Sequence, residues 1–457
     1  MITKISVENF KSFDDLQELS MISSTKIRSH ADHRVKVGST TSLLKYGVVY
    51  GANAAGKSNL VDFFSFFKHV LKNGIPAGSE WLFCKNRKEN ALRDSVFELQ
   101  FSIDNRFYAY GFSVILSERR ITGEWLYELM KNGNSKCIFE RSINCSDGDD
   151  LNNTIETKIG LINDDKKRFK TYVKDFSTNT TSLFLSEMNR NKNFDEKSRL
   201  HVFEKVYRWL SNNIVIFTPN SNYTDFNSYY DDASLTLINQ LIRTFDTGIT
   251  QISIKEIGFE ELESMIPKPI YSDILEKYKE HINNHPNSKV RISGRTKESF
   301  FSIESDNGGD VKVTTIRLTH GNSPFDFTFN EESDGTRRLF DLIDMLLSKR
   351  DDVIFIVDEL ERSLHPKLTE KFLELFGDRH RGQQVQLLFT THESSIMDQD
   401  MFRRDEIWFI ERNWENASSI FSLDIFKERY DKRIGKAYLE GRYGAIPVFS
   451  SFEFEEE

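Results

Sequence analysis

The chain opens on an alternation: residues 2 to 8, ITKISVE, place apolar and polar side chains in turn, which predicts a short half-buried strand. Tyr46 to Tyr50, YGVVY, is a continuous apolar run that ends in glycine-bearing sequence, followed by SNLVDFFSFFKHVL with apolar positions at helical spacing. The order strand, loop, helix follows. From residue 96 to about 142 period two governs FELQFSI, RFYAYGFSVIL, EWLYELM and KCIFERS, separated by turn residues, so this part predicts an antiparallel sheet. Between about 165 and 288 the chain turns polar and mostly helix-patterned, as in RLHVFEKVYRWLSNN and SDILEKYKEHINNH, with a loop-like NSNYTDFNSYYDD between them. No heptad persists there, so a long coiled-coil arm is not expected. Period two returns from 289 to 329. The last third alternates helical patterns (SDGTRRLFDLIDMLLSK, HPKLTEKFLELFG) with apolar strands (VIFIV, VQLLFTT, DEIWFIE), which predicts a parallel sheet flanked by helices. FEFEEE at the end reads as a solvated acidic tail.

These patterns divide the chain into an N-lobe at 1–165, a mostly helical insertion at 166–288 and a C-lobe at 289–457. A length of 457 residues agrees with two or three units. With 38% hydrophobic and 29% charged residues the composition is that of a folded globular protein, and its 38 Phe predict a ring-rich core. Lys and Arg total 61 against 70 Asp and Glu, so no global basic field marks a nucleic-acid coat, although a local groove for DNA stays open. Cys84, Cys137 and Cys145 are sparse and lack metal-ligand spacing; a reduced cytoplasmic protein without zinc is expected. No signal-peptide core and no run of 18 apolar residues occurs, so neither export nor a membrane span is expected.

Gly51-Ala-Asn-Ala-Ala-Gly56-Lys57-Ser58 fits G-x-x-x-x-G-K-[ST] in the strand-loop-helix context that pattern requires. Glycines let backbone N–H groups wrap phosphates, the helix N-terminus adds a positive dipole end, Lys57 brings a point charge and the Ser58 hydroxyl suits Mg2+. Asn53 and Asn59 belong to the same expected ATP site. Residues 353 to 357, VIFIV, read as a fully buried parallel strand ending in Asp358 and Glu359, where open α/β sheets place ligands. Asp358 is the candidate Mg2+ carboxylate and Glu359 the candidate general base toward water.

Ser333-Asp334-Gly335-Thr336 begins a helix shortly before that strand, Ser363-Leu364-His365-Pro366 follows it, and His392 follows the next strand. In order and spacing these motifs resemble the ABC ATPase head. The resemblance implies an α/β fold with a mixed N-lobe sheet, a parallel C-lobe sheet and an inserted helical region, in which Ser333 and Gly335 cap the γ-phosphate held by an opposite protomer and His392 contacts the same phosphate. The opening Asn9-Phe10-Lys11-Ser12-Phe13 is similar to RecF- and SMC-like members, which makes Lys11 a further phosphate candidate. No glutamine is assigned as the phosphate sensor of such heads: Gln100 points along a strand and SLFLSEMNRN has none.

Over nearly the whole chain, YGANAAGKSNL, SDGTRRLFDLI, VDELERSLHP, LLFTTHE, RRDEIWFIE and YLEGRYGAIP resemble bacterial AAA-type ATPases of the ABC superfamily related to OLD proteins, including AbiLi-like abortive-infection ATPases and the PARIS ATPase. The resemblance implies a cytoplasmic ATPase that forms a homodimer or higher homo-oligomer through an ATP sandwich and answers a phage-encoded trigger. Its effector would be a separately encoded Toprim- or RloB-like nuclease, since the stretch after His392 is too short for a Toprim domain. A RecF-like repair clamp on DNA is the alternative; the acidic balance and lack of a coiled coil weigh against it.

Overall fold

In the computed structural model the described residues are all except 146–150, 219–228, 230–231, 285–289, 297–298, 306–310, 427–432 and 448–457. The acidic tail and most of the 220–232 loop therefore lie outside them. Two compact units emerge, each discontinuous in sequence: Met1–Thr218, Asp351–Leu360 and Arg381–Glu457 form the first, Pro219–Arg350 and Glu361–His380 the second.

The first unit holds two large sheets. One has seven strands in the order Leu151–Glu156, Ser135–Cys145, Arg120–Leu129, Arg106–Ile115, Ser95–Ile103, Ile2–Glu8, Gln17–Ser20, antiparallel throughout. The other has six, in the order Ile214–Phe217, Ile354–Val357, Gln386–Thr391, Tyr46–Tyr50, Ile407–Arg412, Ser418–Ser422, parallel except for the last. The glycine-loop strand Tyr46–Tyr50 thus belongs to the mostly parallel sheet, not to the N-terminal one. Strands Ile354–Val357, Gln386–Thr391 and Tyr46–Tyr50 are buried on both faces and mostly apolar, as strands covered on both sides are.

The helix Lys57–Asn73 shares one hydrophobic core with both sheets. Its Phe63, Phe66 and Phe67 meet Phe97 and Phe112 of the antiparallel sheet with centroids 4.9 to 5.8 Å apart, while Ile354, Ile356 and Leu388 join the same core from the parallel sheet. This accounts for much of the phenylalanine content as core. Buried Gln386 stitches the sheets together: its Oε1 accepts from Ile2 N–H at 2.6 Å, and its Nε2 donates to the Ile2 and Leu44 carbonyls at 3.0 and 2.9 Å.

Helices Asn163–Asp175, Phe184–Asn189 and His201–Asn212 bury Phe169, Phe184, Phe203 and Trp209 in this same core. The expected boundary at 165/166 therefore does not coincide with a break between units, because the apolar faces of these helices have no core but that of the first unit. Fully buried Glu124 accepts from Phe184 and Leu185 N–H at 2.6 and 2.9 Å and from Tyr110 Oη at 3.0 Å, with Arg141 Nη1 at 3.5 Å. Burial pushes its carboxyl above the usual range; Arg141 and those donors oppose the shift.

The second unit contains an antiparallel sheet in the order Ile249–Ile257, Val311–His320, Phe300–Ser305, Val290–Arg295. Its helices are Asp232–Arg243, Phe259–Met265, Lys268–Asn284, Asp334–Leu347 and Pro366–Arg379. Tyr229, Phe300, Phe329 and Phe340 form an aromatic cluster, with Phe300 and Phe329 edge to face at 4.7 Å. Strands at Ile214–Phe217 and Ile249–Ile257 fall inside the stretch read as mostly helical: the first is only four residues of apolar run, and the second alternates amid polar sequence. Cys84 and Cys137 are buried free thiols, and no described helix is long and apolar enough to cross a membrane.

Candidate functional site

At the carboxyl ends of three adjacent parallel strands the first unit gathers most of the chemistry the sequence singles out. Tyr50 pairs with Thr391 and Val357 with Phe389, so loop 51–56 and His392 leave the sheet at one level while Asp358–Glu359 follow a strand that ends two residues earlier.

The loop is shaped by close approaches. A Cβ on Gly51 would lie 2.5 Å from the Ile410 carbonyl oxygen, and one on Gly56, at φ 114°, would lie 2.6 Å from both Ser12 Oγ and Ser418 Oγ. Only glycine meets both demands. Ser418 donates to the Ala55 carbonyl at 2.5 Å, its N–H donates to the Ser12 carbonyl at 2.7 Å, and Asn59 Nδ2 donates to Ser12 Oγ at 2.7 Å. The turn around Ser12 is thereby clamped onto the loop; Ser12 lies in the opening motif Asn9–Phe13, whereas Ser418 supports the loop without carrying any motif signature.

Lys57 is buried, its Nζ donating to the Gly51 and Ala52 carbonyls at 2.8 and 3.0 Å and lying 3.4 Å from His392 Nδ1. Ser58 and Asn53 are exposed, as is His392, and Asn59 is half-buried. Lys11, at φ 53°, forms an ion pair with Asp62 on the loop's own helix, so in this conformation its charge is met by a carboxylate. Gln100 donates to Glu98 along its strand at 3.0 Å.

Asp358 and Glu359 share a partner that the sequence reading passed over. The Thr390 hydroxyl donates to Asp358 Oδ1 at 2.6 Å and accepts the Glu359 N–H at 2.8 Å. Asp358 is buried, Glu359 half-buried, and Glu359 holds φ 50°, a left-handed conformation that costs a non-glycine residue energy unless its surroundings enforce it. The backbone bond to Thr390 is one such enforcement. The available signal was a hydroxyl at the end of the otherwise apolar run VQLLF.

Ser333 and Gly335 belong to the second unit. Ser333 is the exposed N-cap of Asp334–Leu347, accepting from Thr336 N–H at 3.1 Å. A Cβ on Gly335 would lie 2.5 Å from the Ser363 carbonyl oxygen, so glycine lets the helix start touch the segment that opens Ser363-Leu364-His365-Pro366.

A strand, a glycine loop closed on a buried lysine and a strand-end carboxylate pair, in a mostly parallel sheet, are the parts from which a P-loop domain of the AAA kind is built. The chain belongs to the family described as "AAA domain, putative AbiEii toxin, Type IV TA system", whose model matches residues 48–398. A search of curated proteins finds no match. Among solved structures it is similar to the SMC head domain from Thermotoga maritima, at 12% identity over 92% of this chain and 98% of that one, with a TM-score of 0.34. It is also similar to an SMC head bound to the C-terminal winged-helix domain of ScpA, at 12% identity over 92% and 97%, with a TM-score of 0.36. Both likenesses are loose.

Proposed function

We propose that the chain binds and hydrolyses ATP with Mg2+ and serves as the regulatory ATPase of an antiphage, abortive-infection system. The observation that carries the ATPase reading is that Lys57 and His392 meet beside loop 51–56 while Asp358 and Glu359 follow the strand next but one in the same parallel sheet, tied to the strand between by Thr390. The residues fit the group: the glycine-bearing loop leads into a helix N-terminus, Ser58 is exposed at its first turn, and buried Asp358 has its Oδ1 fixed by Thr390. Mg·ATP would supply the phosphoanhydride and the charge-neutralising cation.

In this reading Lys57 leaves two loop carbonyls to meet the outer phosphates, with Asn53, Asn59 and the N–H groups of 51–56 around them. Ser58 and Asp358 hold the cation, Glu359 takes the proton from water, and His392 donates to the γ-phosphate. Lys11 would join only after releasing Asp62. Ser333 and Gly335 would cap the γ-phosphate of a second copy, so that ATP closes a homodimer and hydrolysis reopens it. The family's description, which names a putative AbiEii toxin of a type IV TA system, is compatible with a role beside a partner protein; the effector would be a separately encoded nuclease.

The test is thermal. ATP at a hundred times its dissociation constant should stabilise the wild-type fold by about 2.7 kcal/mol. Lys57→Ala should lose most of that shift while its nucleotide-free melt stays nearly unchanged; equal shifts in both proteins would refute the assignment.

A further inference from the structure

Upstream of the glycine loop, the segment around the 3-10 turn Ala31–His33 carries a second constellation with ligand chemistry. One ligand atom from each of His30, Asp32 and His33 lies within 4.8 Å of the others. Ligand atoms around a tetrahedral cation with bonds of about 2.0–2.1 Å stand roughly 3.4 Å apart, so modest side-chain rotation would close the set. Asp32 is exposed and both histidines are half-buried, which leaves room for that rotation.

The ring nitrogens are already sorted. His30 Nε2 lies 2.7 Å from the Gln399 carbonyl oxygen, which can only accept, so that nitrogen carries the proton and Nδ1 keeps the lone pair. His33 Nδ1 lies 3.0 and 3.2 Å from the two oxygens of Glu406, leaving Nε2 for a ligand. A histidine whose second nitrogen is tied to a carbonyl or carboxylate is the usual companion of a bound metal, because the bond fixes the ring and raises its basicity. Glu406 is itself fully buried and accepts the Arg403 N–H at 2.8 Å. Burial raises its carboxyl above the ordinary range, and the hydrogen bond from His33 opposes that.

We propose that His30, Asp32 and His33 bind a first-row transition-metal dication of the Zn2+ class, with a water completing the sphere. Two imidazoles and one carboxylate favour such a cation over Mg2+ or Ca2+, which prefer all-oxygen sets. Burial lowers the Lys45 ammonium below its ordinary range, and the charge of Asp32 opposes that shift. All three ligands come from one short turn, so the ion would rigidify that turn and the segment leading into it. Arg403 already ties that segment down, donating to the Ser29 carbonyl at 2.7 Å and the Ile27 carbonyl at 3.2 Å, and Asp405 accepts Ser24 N–H at 2.7 Å. Strand Ile407–Arg412, next to the glycine-loop strand, begins directly after these residues.

Chelator-treated full chain titrated with ZnCl2 should take up one equivalent and melt at higher temperature, and CoCl2 in its place should give visible d–d absorption. The double substitution His30→Ala, Asp32→Ala spares His33 and Glu406 and should weaken Zn2+ by about tenfold or more while abolishing the thermal shift. Asp32→Asn alone should weaken it less, and MgCl2 should shift neither protein. No Zn2+ uptake by the wild type, or the same stoichiometry and affinity in the double variant, would overturn the proposal.

Discussion

Thr390 holds two neighbours at once, fixing one oxygen of Asp358 and the strained backbone of Glu359. Replacing it by Val keeps shape and removes both bonds. If Asp358 and Glu359 work on metal and water as proposed, Thr390→Val should lower ATP turnover by about 10- to 100-fold while ATP still shifts the melt, as expected of a residue that orients the groups touching substrate. Glu359→Gln keeps size and hydrogen bonding but removes the base; turnover should fall on the order of 10²-fold or more with binding retained. Steady-state phosphate release beside thermal shift checks both, and wild-type turnover in Glu359→Gln would move the base to another carboxylate. A structural counterpart lies at Glu124, whose removal would leave Arg141 buried without its carboxylate. Glu124→Ala should cost about 3–5 kcal/mol in a urea melt; a loss below about 1 kcal/mol would show that Arg141 is satisfied by Asn153 Oδ1 and the carbonyls of Ser182 and Asn179.

Among the elements, the helix Asp334–Leu347 has its start written in the sequence: Ser333 caps it and Gly335 permits contact with the Ser363 backbone. Ser333→Ala should therefore cost about 1 kcal/mol of stability, read by denaturant unfolding, whatever its role toward ATP. The strand-loop-helix at 46–73 and the buried strand before Asp358 were legible for a related reason, since punctuating glycines and unbroken apolar runs bound them. Strand Ile214–Phe217 was not. It is a short apolar run flanked by helical sequence, and its identity comes from pairing with Ile354–Val357, more than a hundred residues away. Ile249–Ile257 likewise takes its state from the partner strand Val311–His320. Thr390 was invisible because a hydroxyl at a strand end is commonplace; its meaning lies in what stands opposite on the neighbouring strand.

On the scale of the whole chain, the order of motifs gave the ATPase class, yet sequence order hid how the pieces assemble. The first unit is drawn from three separate stretches, joined by contacts such as Gln386 to Ile2 and Trp209 to Asp352 that no local pattern announces. Lys57 lies in one unit and Ser333 in the other, and the functional reading turns on ATP at Lys57 of one copy being completed by Ser333 of a second. Ser333→Arg should leave ATP binding at Lys57 largely intact but block hydrolysis through bulk and misplaced charge, whereas Lys57→Ala should lose binding. The decisive measurement is ATPase activity in a mixture of these two variants, with subunit exchange followed by differently tagged chains. Recovery of activity above either variant alone is the predicted result, because each mixed pair joins one intact glycine loop to one intact Ser333 helix. Verified exchange with no recovery, together with normal hydrolysis by Ser333→Arg alone, would contradict the account and leave Ser333 a helix cap.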